Sequence, residues 1–187
     1  MTQASDIPGY VAGTWTIDPG HSEVSFTVRH LMLTRVRGRF SRFSGQLTTA
    51  ENPLESRVTA EIDMTSIDTN NPQRDDDLRS HDFFETAKYP VMTYRSTSLE
   101  PGFLLRGDLT CHGVTAEVPL SLELNGFGRG RFGDTRAAFT ATGELSRKAF
   151  GISIDLPLEG GGVVIGDRIA LTLEIQAVLS GAAPAGR

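Results

Sequence analysis

The sequence predicts an all-β fold in which about eight to ten strands form either a closed barrel or a sandwich. Apolar residues recur at every second position through most of the chain, and no stretch of helical period has comparable length. Strands that each have one apolar face, with almost no helix to cover it, must pack against a second sheet or close on themselves. Small residues in the apolar rows favour a lumen for one small ligand, but they also suit close sheet packing in a sandwich. The residue pattern alone leaves both architectures open.

Four strands are predicted before residue 65. They lie at residues 14–18, 23–29, 36–47 and 57–64. In the second strand, Val24, Phe26 and Val28 alternate with polar residues, so one face is apolar. The fourth strand repeats the pattern, with Ala60 and Ile62 on its apolar face.

A short helical insert is predicted between residues 66 and 90. Asn71 followed by Pro72 suits a helix N-cap and first turn, and the helix is expected to run through Asp77 or Leu78. Ser80 could cap a second turn that holds Phe83 and Phe84. The insert is expected either to plug one end of a barrel or to cross the surface, anchored by its two phenylalanines.

The clearest signal after residue 90 is a hairpin centred on His112 and Gly113. Apolar residues occupy odd positions before this pair and even positions after it, as a two-residue loop requires if all of them face one side. The predicted register pairs Cys111 with Val114, Leu109 with Ala116 and Leu105 with Leu120. Further strands are predicted at residues 91–99, 136–145 and 168–177.

The length, composition and net charge of the chain exclude several classes of protein. A chain of 187 residues with 39% hydrophobic content fits one globular domain. It has no run of about 20 apolar residues and no secretory signal at its start, so we expect a cytoplasmic protein without stable membrane insertion. A net charge of -5 argues against nucleic acid as a partner. The single Cys111 leaves no internal disulfide and no cysteine-based zinc site.

Two basic positions are candidates for binding a polar group. His30 keeps the inward parity of its strand, which predicts an imidazole near one mouth of the lumen or a buried histidine bonded to the backbone. Arg74 either forms a charge pair with Asp75 that fixes the insert or reaches a polar ligand at the mouth. Five arginines could form an anion-attracting rim or a solvated strand face: Arg29, Arg35, Arg37, Arg39 and Arg42.

No catalytic or metal site is predicted. The run of aspartates at residues 75–77 lacks the spacing of a calcium loop. His21 and Ser22, like Cys111 and His112, are chain neighbours that need not converge on one face. The first pair is expected to organise the turn after Gly20.

A longer set of motifs resembles a known family. The matching residues, in chain order, are Trp15, Ile17, Asp18, His21 and Ser22; Gly38, Phe40, Phe43 and Gly45; Ser66, Ile67, Thr69, Asn71, Arg74, Asp75, Leu78, Ser80, Asp82, Phe83 and Phe84; Tyr89 and Pro90; residues 107–110 and 113–115; and Phe150, Gly151 and Ile152. In this order and spacing the chain resembles the YceI-like family over roughly residues 14–178. It departs from the pattern at Asp77, where a histidine is expected.

The resemblance implies a lipocalin-like closed antiparallel β-barrel of about eight strands, with a short helical insert near one barrel mouth. It implies one domain over residues 1–187, with the barrel at about 14–178 and flexible termini. It further implies a non-enzymatic protein, expected to be a homodimer, that holds a long-chain isoprenoid lipid, either a polyprenyl phosphate or an isoprenoid quinone, and needs no other cofactor.

Twelve residues are predicted to line the lumen, and His30 and Arg74 to bind the lipid head group. The twelve are Phe26, Val28, Phe40, Ala60, Ile62, Phe83, Phe84, Leu105, Leu109, Leu120, Phe139 and Leu171. Two alternatives stay open: an enzyme acting on an isoprenoid lipid with His30 or His112 as general base, and a ligand-free β-sandwich interaction module.

Overall fold

The computed structural model describes residues 6–31, 33–155 and 164–182, and their main feature is a closed antiparallel barrel. The strands are β1 (Gly13–Ile17), β2 (Glu23–His30), β3 (Thr34–Phe40), β4 (Phe43–Thr49), β5 (Arg57–Asp63), β6 (Ile67–Asp68), β7 (Val91–Glu100), β8 (Leu104–Cys111), β9 (Val114–Glu117), β10 (Leu120–Arg129), β11 (Thr135–Ser146) and β12 (Ile165–Ala182). Within the described residues there is one α-helix, α1 (Pro72–Arg79). Short 3-10 turns lie at Pro19–His21, Pro53–Glu55, Met64–Ser66 and Lys148–Phe150.

Strand β12 closes the barrel. The ring of neighbours runs β1, β4, β5, β7, β8, β10, β11 and β12, and it returns to β1 through pairs such as Trp15 with Leu179 and Ile17 with Ala177. The 18 residues of β12 pair with β11 along one edge and with β2 and then β1 along the other. The predicted closed eight-stranded barrel is confirmed. The sandwich alternative is wrong, because the hydrogen-bonded ring leaves no division into two sheets.

At some places in the barrel, two consecutive short strands occur where one long strand would be expected. The strand predicted at residues 36–47 is divided at Ser41 and Arg42, whose backbone N–H groups bond the backbone oxygen of Ser66 at 3.2 Å and its hydroxyl at 3.0 Å. Those bonds replace ladder partners and bend the chain between β3 and β4. Pro119 lies between β9 and β10 and interrupts the strand for a different reason, because proline has no N–H to donate to the ladder.

The predicted hairpin is confirmed in loop and register. Cys111 pairs with Val114, Leu109 with Ala116 and Leu105 with Leu120. His112 and Gly113 have φ of 53° and 75°, the left-handed pair that a two-residue type I′ loop requires.

The helical insert begins where predicted and continues differently. Asn71 caps α1 by accepting the N–H of Arg74 at 3.0 Å. A turn that holds Phe83 and Phe84 does begin at Ser80, whose backbone carbonyl accepts the N–H groups of Phe83 and Glu85 at 3.2 and 2.8 Å. The Ser80 hydroxyl does not cap that turn, because it donates to the carbonyl of Asp77 at 2.6 Å, at the C-terminus of α1. The chain then reverses, with the N–H of Phe84 bonded to the carbonyl of Leu78 at 3.0 Å.

Several small inward residues are covered by neighbouring side chains and do not widen the lumen. A Cβ at Gly107 would lie 2.4 Å from the ring of Tyr94, and one at Gly143 would lie 2.7 Å from Leu120. Ala137 is fully buried in a cluster around Trp15. At these positions the small residues do not add lumen space, because rings and leucine fill the space beside them.

Candidate functional site

An apolar cavity of about 590 Å³ occupies the barrel. At one end it reaches Leu78, Phe83 and Phe84 of the insert, and at the other it reaches Ile7 and Tyr10. Its volume falls in the range of about 300–1,000 Å³ that small-molecule sites occupy. The cavity results from the alternation of each strand, because one apolar row per strand faces the lumen.

All twelve residues predicted to line the lumen do line this cavity. They are Phe26, Val28, Phe40, Ala60, Ile62, Phe83, Phe84, Leu105, Leu109, Leu120, Phe139 and Leu171. They lie on seven strands and on the insert. That they contact a ligand stays a prediction.

A polar network around Thr69 holds the helical insert over the mouth of the cavity. The carboxylate of Asp75 accepts the backbone N–H of Thr69 at 2.8 Å and also its hydroxyl. Arg74 donates from Nε to the hydroxyl of Thr69 and from Nη2 to its carbonyl, at 2.8 and 2.7 Å. The expected Arg74–Asp75 charge pair is thus an indirect one, in which both side chains bond Thr69.

Both predicted head-group residues lie at the insert end of the cavity. His30 and Arg74 line the cavity and are half-buried. Arg74 Nη1 and the imidazole of His30 have no hydrogen-bond partner in the part of the chain that the structure describes. Asp77, which stands where the family pattern has histidine, also lines this mouth and is exposed.

Arg147 is a buried cation at the insert end of the cavity, and the sequence analysis did not identify it. It is 5% exposed and lines the cavity. Its guanidinium donates to Asp155 at 2.8 Å and to the backbone carbonyls of Ile152, Gly166 and Ile165 at 2.7, 3.1 and 3.0 Å. Four of its five N–H groups are thereby used to hold two end segments together. The sequence feature that could have identified Arg147 is its position directly after a long alternating strand and before the Phe150-Gly151-Ile152 motif.

The opposite end of the cavity is covered by residues before the predicted barrel. Tyr10 donates its hydroxyl to the carbonyl of Ala50 at 2.7 Å, and its ring meets that of Phe127 edge to face at 5.3 Å. Trp15 donates its indole N–H to the Thr49 hydroxyl at 2.8 Å. Sequence reasoning missed Tyr10, because no strand alternation includes it.

The histidine and cysteine pairs do not form dyads. His21 Nδ1 lies 2.8 Å from Asp18 and so organises the turn as expected. Ser22 instead donates to the carbonyl of Gln176 at 3.1 Å and thereby joins the turn to β12. His112 contacts the carbonyl of Phe150 through Nδ1 at 3.0 Å and is not among the residues that line the cavity. Cys111 does line the cavity, and burial raises its thiol pKa to about 12.

The described residues contain no group of three or more His, Cys, Asp or Glu side chains placed to hold a metal ion. None of the helices in that part of the chain is long and apolar enough to cross a membrane.

Solved structures of similar fold are known. A YceI protein of Campylobacter jejuni matches with a TM-score of 0.68 and 26% identity, covering 80% of this chain and 88% of that one. A domain from Saccharophagus degradans, described as polyisoprenoid-binding, matches with a TM-score of 0.67 and 17% identity, covering 91% of this chain and 99% of that one.

Sequence comparison shows the family directly. Protein YceI of Escherichia coli O157:H7 is 41% identical over 152 residues, which are 78% of this chain and 80% of the relative. A UPF0312 protein of Staphylococcus epidermidis is 36% identical over 157 residues, 83% of this chain and 91% of the relative. The model of the YceI-like domain matches residues 15–177. The chain therefore belongs to the YceI-like family.

Proposed function

We propose that the protein binds a long-chain isoprenoid lipid, a polyprenyl phosphate or an isoprenoid quinone, and sequesters, transports or stores it. The observation that carries this proposal is the cavity of about 590 Å³ lined by apolar side chains from the length of the barrel. Burying lipid hydrocarbon there would contribute roughly 25 cal/mol per Å² removed from water. The polyisoprenoid-binding description of the Saccharophagus degradans domain, which shares the fold, supports the same class of ligand.

The head group is proposed to lie at the insert end. Arg74 Nη1 and His30 line the cavity there without partners among the described side chains, so both can meet a polar group of the lipid. Arginine suits phosphate because it donates in a planar fork, whereas a quinone oxygen needs only one donor. The remaining walls are apolar and suit the isoprenoid chain.

A carrier role is proposed in preference to catalysis on the lipid. His112, one of the two possible bases, is not among the cavity-lining residues. Arg147 donates to four acceptors that hold the fold together. His30 keeps the enzyme alternative testable: turnover of a bound isoprenoid that is lost in His30→Gln would favour the enzyme.

Mass spectrometry of an organic extract of the purified protein tests the proposal. We expect a long-chain isoprenoid in near one-to-one ratio with protein. Protein whose extract is free of isoprenoid, and which does not bind added polyprenyl phosphate or quinone, would contradict it.

A further inference from the structure

We infer that the tip of the β2–β3 hairpin docks the cavity mouth onto an anionic membrane surface. This surface, called the arginine–leucine tip, consists of Arg29, Leu31, Leu33, Arg35 and Arg37. The inference goes beyond the proposed lipid binding, because docking can be measured whether or not the cavity holds an isoprenoid.

The apolar part of the tip is exposed. Leu33 is 83% exposed and Leu31 is 36% exposed at the turn between the two strands. Neither is needed to close the barrel core, which is built from other residues. Leucines presented at a loop end can enter the headgroup region of a bilayer, where burial of apolar area favours binding.

Among the described residues, the arginines beside the leucines have no acidic partner. Arg29 lies directly opposite Arg35 in the β2–β3 register, a like-charge pair that destabilises a hairpin. Neither of them, nor Arg37, has an ion pair or side-chain hydrogen bond within the described residues. Farther along the same strand, Arg39 does pair with Asp68 at 3.0 Å. Along β2 and β3, the arginines without an ion pair among the described residues therefore lie toward the end that carries the leucines.

The tip lies next to the insert end of the cavity. His30 and Val36 belong to the same hairpin and line the cavity, and the Leu31 N–H bonds the carbonyl of cavity-lining Val164 at 2.7 Å. A bilayer touching the tip would face that mouth. Although the chain as a whole carries a net charge of -5, an anionic surface would attract this positive hairpin tip and so orient the protein.

Charge together with exposed leucine favours a bilayer over nucleic acid. Phosphate-backbone binding would use the arginines but gives no reason for a leucine that is 83% exposed. An anionic bilayer accounts for both the arginines and the leucine. Arginine is attracted to the negative surface, and the apolar side chain enters the interface.

Vesicle flotation tests the inference. The purified protein is mixed with vesicles of phosphatidylglycerol and phosphatidylcholine, or of phosphatidylcholine alone, at low and high salt. We expect binding to the anionic vesicles only, weakened by salt. The double variant Arg35→Gln, Arg37→Gln should bind about twenty-five-fold more weakly, roughly fivefold per arginine. Leu33→Ser should also weaken binding.

The β10–β11 hairpin gives the matched control. Phe132 is 88% exposed there, with Arg131 over its ring, at the opposite end of the barrel. Phe132→Ser should leave vesicle binding unchanged. Four outcomes would overturn the inference: no binding by the wild type, equal binding to neutral vesicles, full binding by the double arginine variant, or loss of binding in Phe132→Ser. Loss of duplex DNA binding, but not of vesicle binding, in the arginine variant would assign the tip to nucleic acid.

Discussion

Two alanines on the inner face of the barrel, Ala60 and Ala137, differ in what surrounds them. Ala60 lines the cavity, where a larger side chain would meet empty space. Ala137 is 1% exposed and packs in the cluster around Trp15. The same residue type in the same strand pattern therefore has two roles, and a single substitution distinguishes them.

We predict that Ala60→Phe lowers lipid affinity while the unfolding free energy of the lipid-free protein changes little. The new ring would occupy space proposed for lipid, and the stabilisation by bound lipid, which follows the logarithm of ligand concentration over Kd, would shrink. Thr59→Phe, at the exposed neighbouring position, is the control. Melting temperatures with and without lipid check both variants.

Ala137→Phe is the packed counterpart. Overpacking of a filled site typically costs about 1–3 kcal/mol of unfolding free energy, with or without ligand. If Ala60→Phe destabilised the lipid-free protein as strongly as Ala137→Phe and left the response to lipid intact, the lipid site would not be at Ala60.

Cys111 is predicted to react slowly with thiol reagents. It is 5% exposed, and burial raises its pKa to about 12, so at pH 8 only about one thiol in ten thousand is the reactive thiolate. The labelling rate should rise with pH over the range in which the protein stays folded, and it should fall when lipid fills the cavity. Urea-unfolded protein gives the unprotected rate. Fast labelling that lipid does not change would show that the thiol does not face the ligand.

At the scale of an element, the insert combines a polar anchor with an apolar cover. Arg79 donates to the carbonyls of Thr65 and Ile67 at 3.0 and 2.9 Å, which fixes the C-terminal end of α1 to the barrel. Leu78 and Phe84 pack onto the core from the same segment. A short helix of this kind is held by its caps and tertiary bonds, since eight residues do not form a stable helix alone.

We predict that Asn71→Ala speeds the exchange of bound lipid. Loss of the cap to Arg74 should cost about 1 kcal/mol of helix stability, and the proposed cover would open more often. Transfer of a fluorescent isoprenoid from protein to vesicles measures the rate. Gln73→Ala, an exposed change in the same helix, is the control. Equal rates in both variants would show that lipid does not pass by the insert.

At the scale of the whole molecule, closure of the barrel depends on residues far apart in the chain. Asp18, between β1 and β2, accepts a bond from Arg136 of β11 at 2.9 Å, and its backbone N–H bonds Gln176 of β12 at 2.9 Å. These contacts tie the first strand of the ring to its last two. The hydrogen bonds from His21 and from Arg136 hold the pKa of Asp18 below its ordinary value.

The lowered pKa predicts a loss of stability in acid. The Asp18 carboxylate stabilises the fold above its unfolded pKa of about 3.9, and this contribution is lost as pH falls through the lower folded value. Urea unfolding from neutral pH to below pH 4 should show a smaller acid slope in Asp18→Asn than in the wild type. Identical slopes in the two proteins would contradict the role of Asp18.

Local pattern was sufficient for much of the fold and for the apolar wall of the site. Which way a strand residue faces depends on its immediate neighbours, so the alternation correctly placed Phe26, Ile62 and Leu171 at the cavity. Likewise, a two-residue loop and an N-cap are local, and both the His112-Gly113 turn and the Asn71 cap are where they were predicted. The motif order alone pointed to the YceI-like family, which the comparisons show.

Only the tertiary structure decided whether the sheet closes and what fills it. Closure joins Trp15 to Leu179, and no alternation within a strand determines pairing across such a separation. The space beside Gly107 and Ala137 is taken by Tyr94 and by the Trp15 cluster, because volume depends on facing side chains and not on residue type. The polar residues at the two ends of the cavity also could not be placed from local pattern. Arg147 and Tyr10 reach the cavity because segments that are distant in the chain meet there.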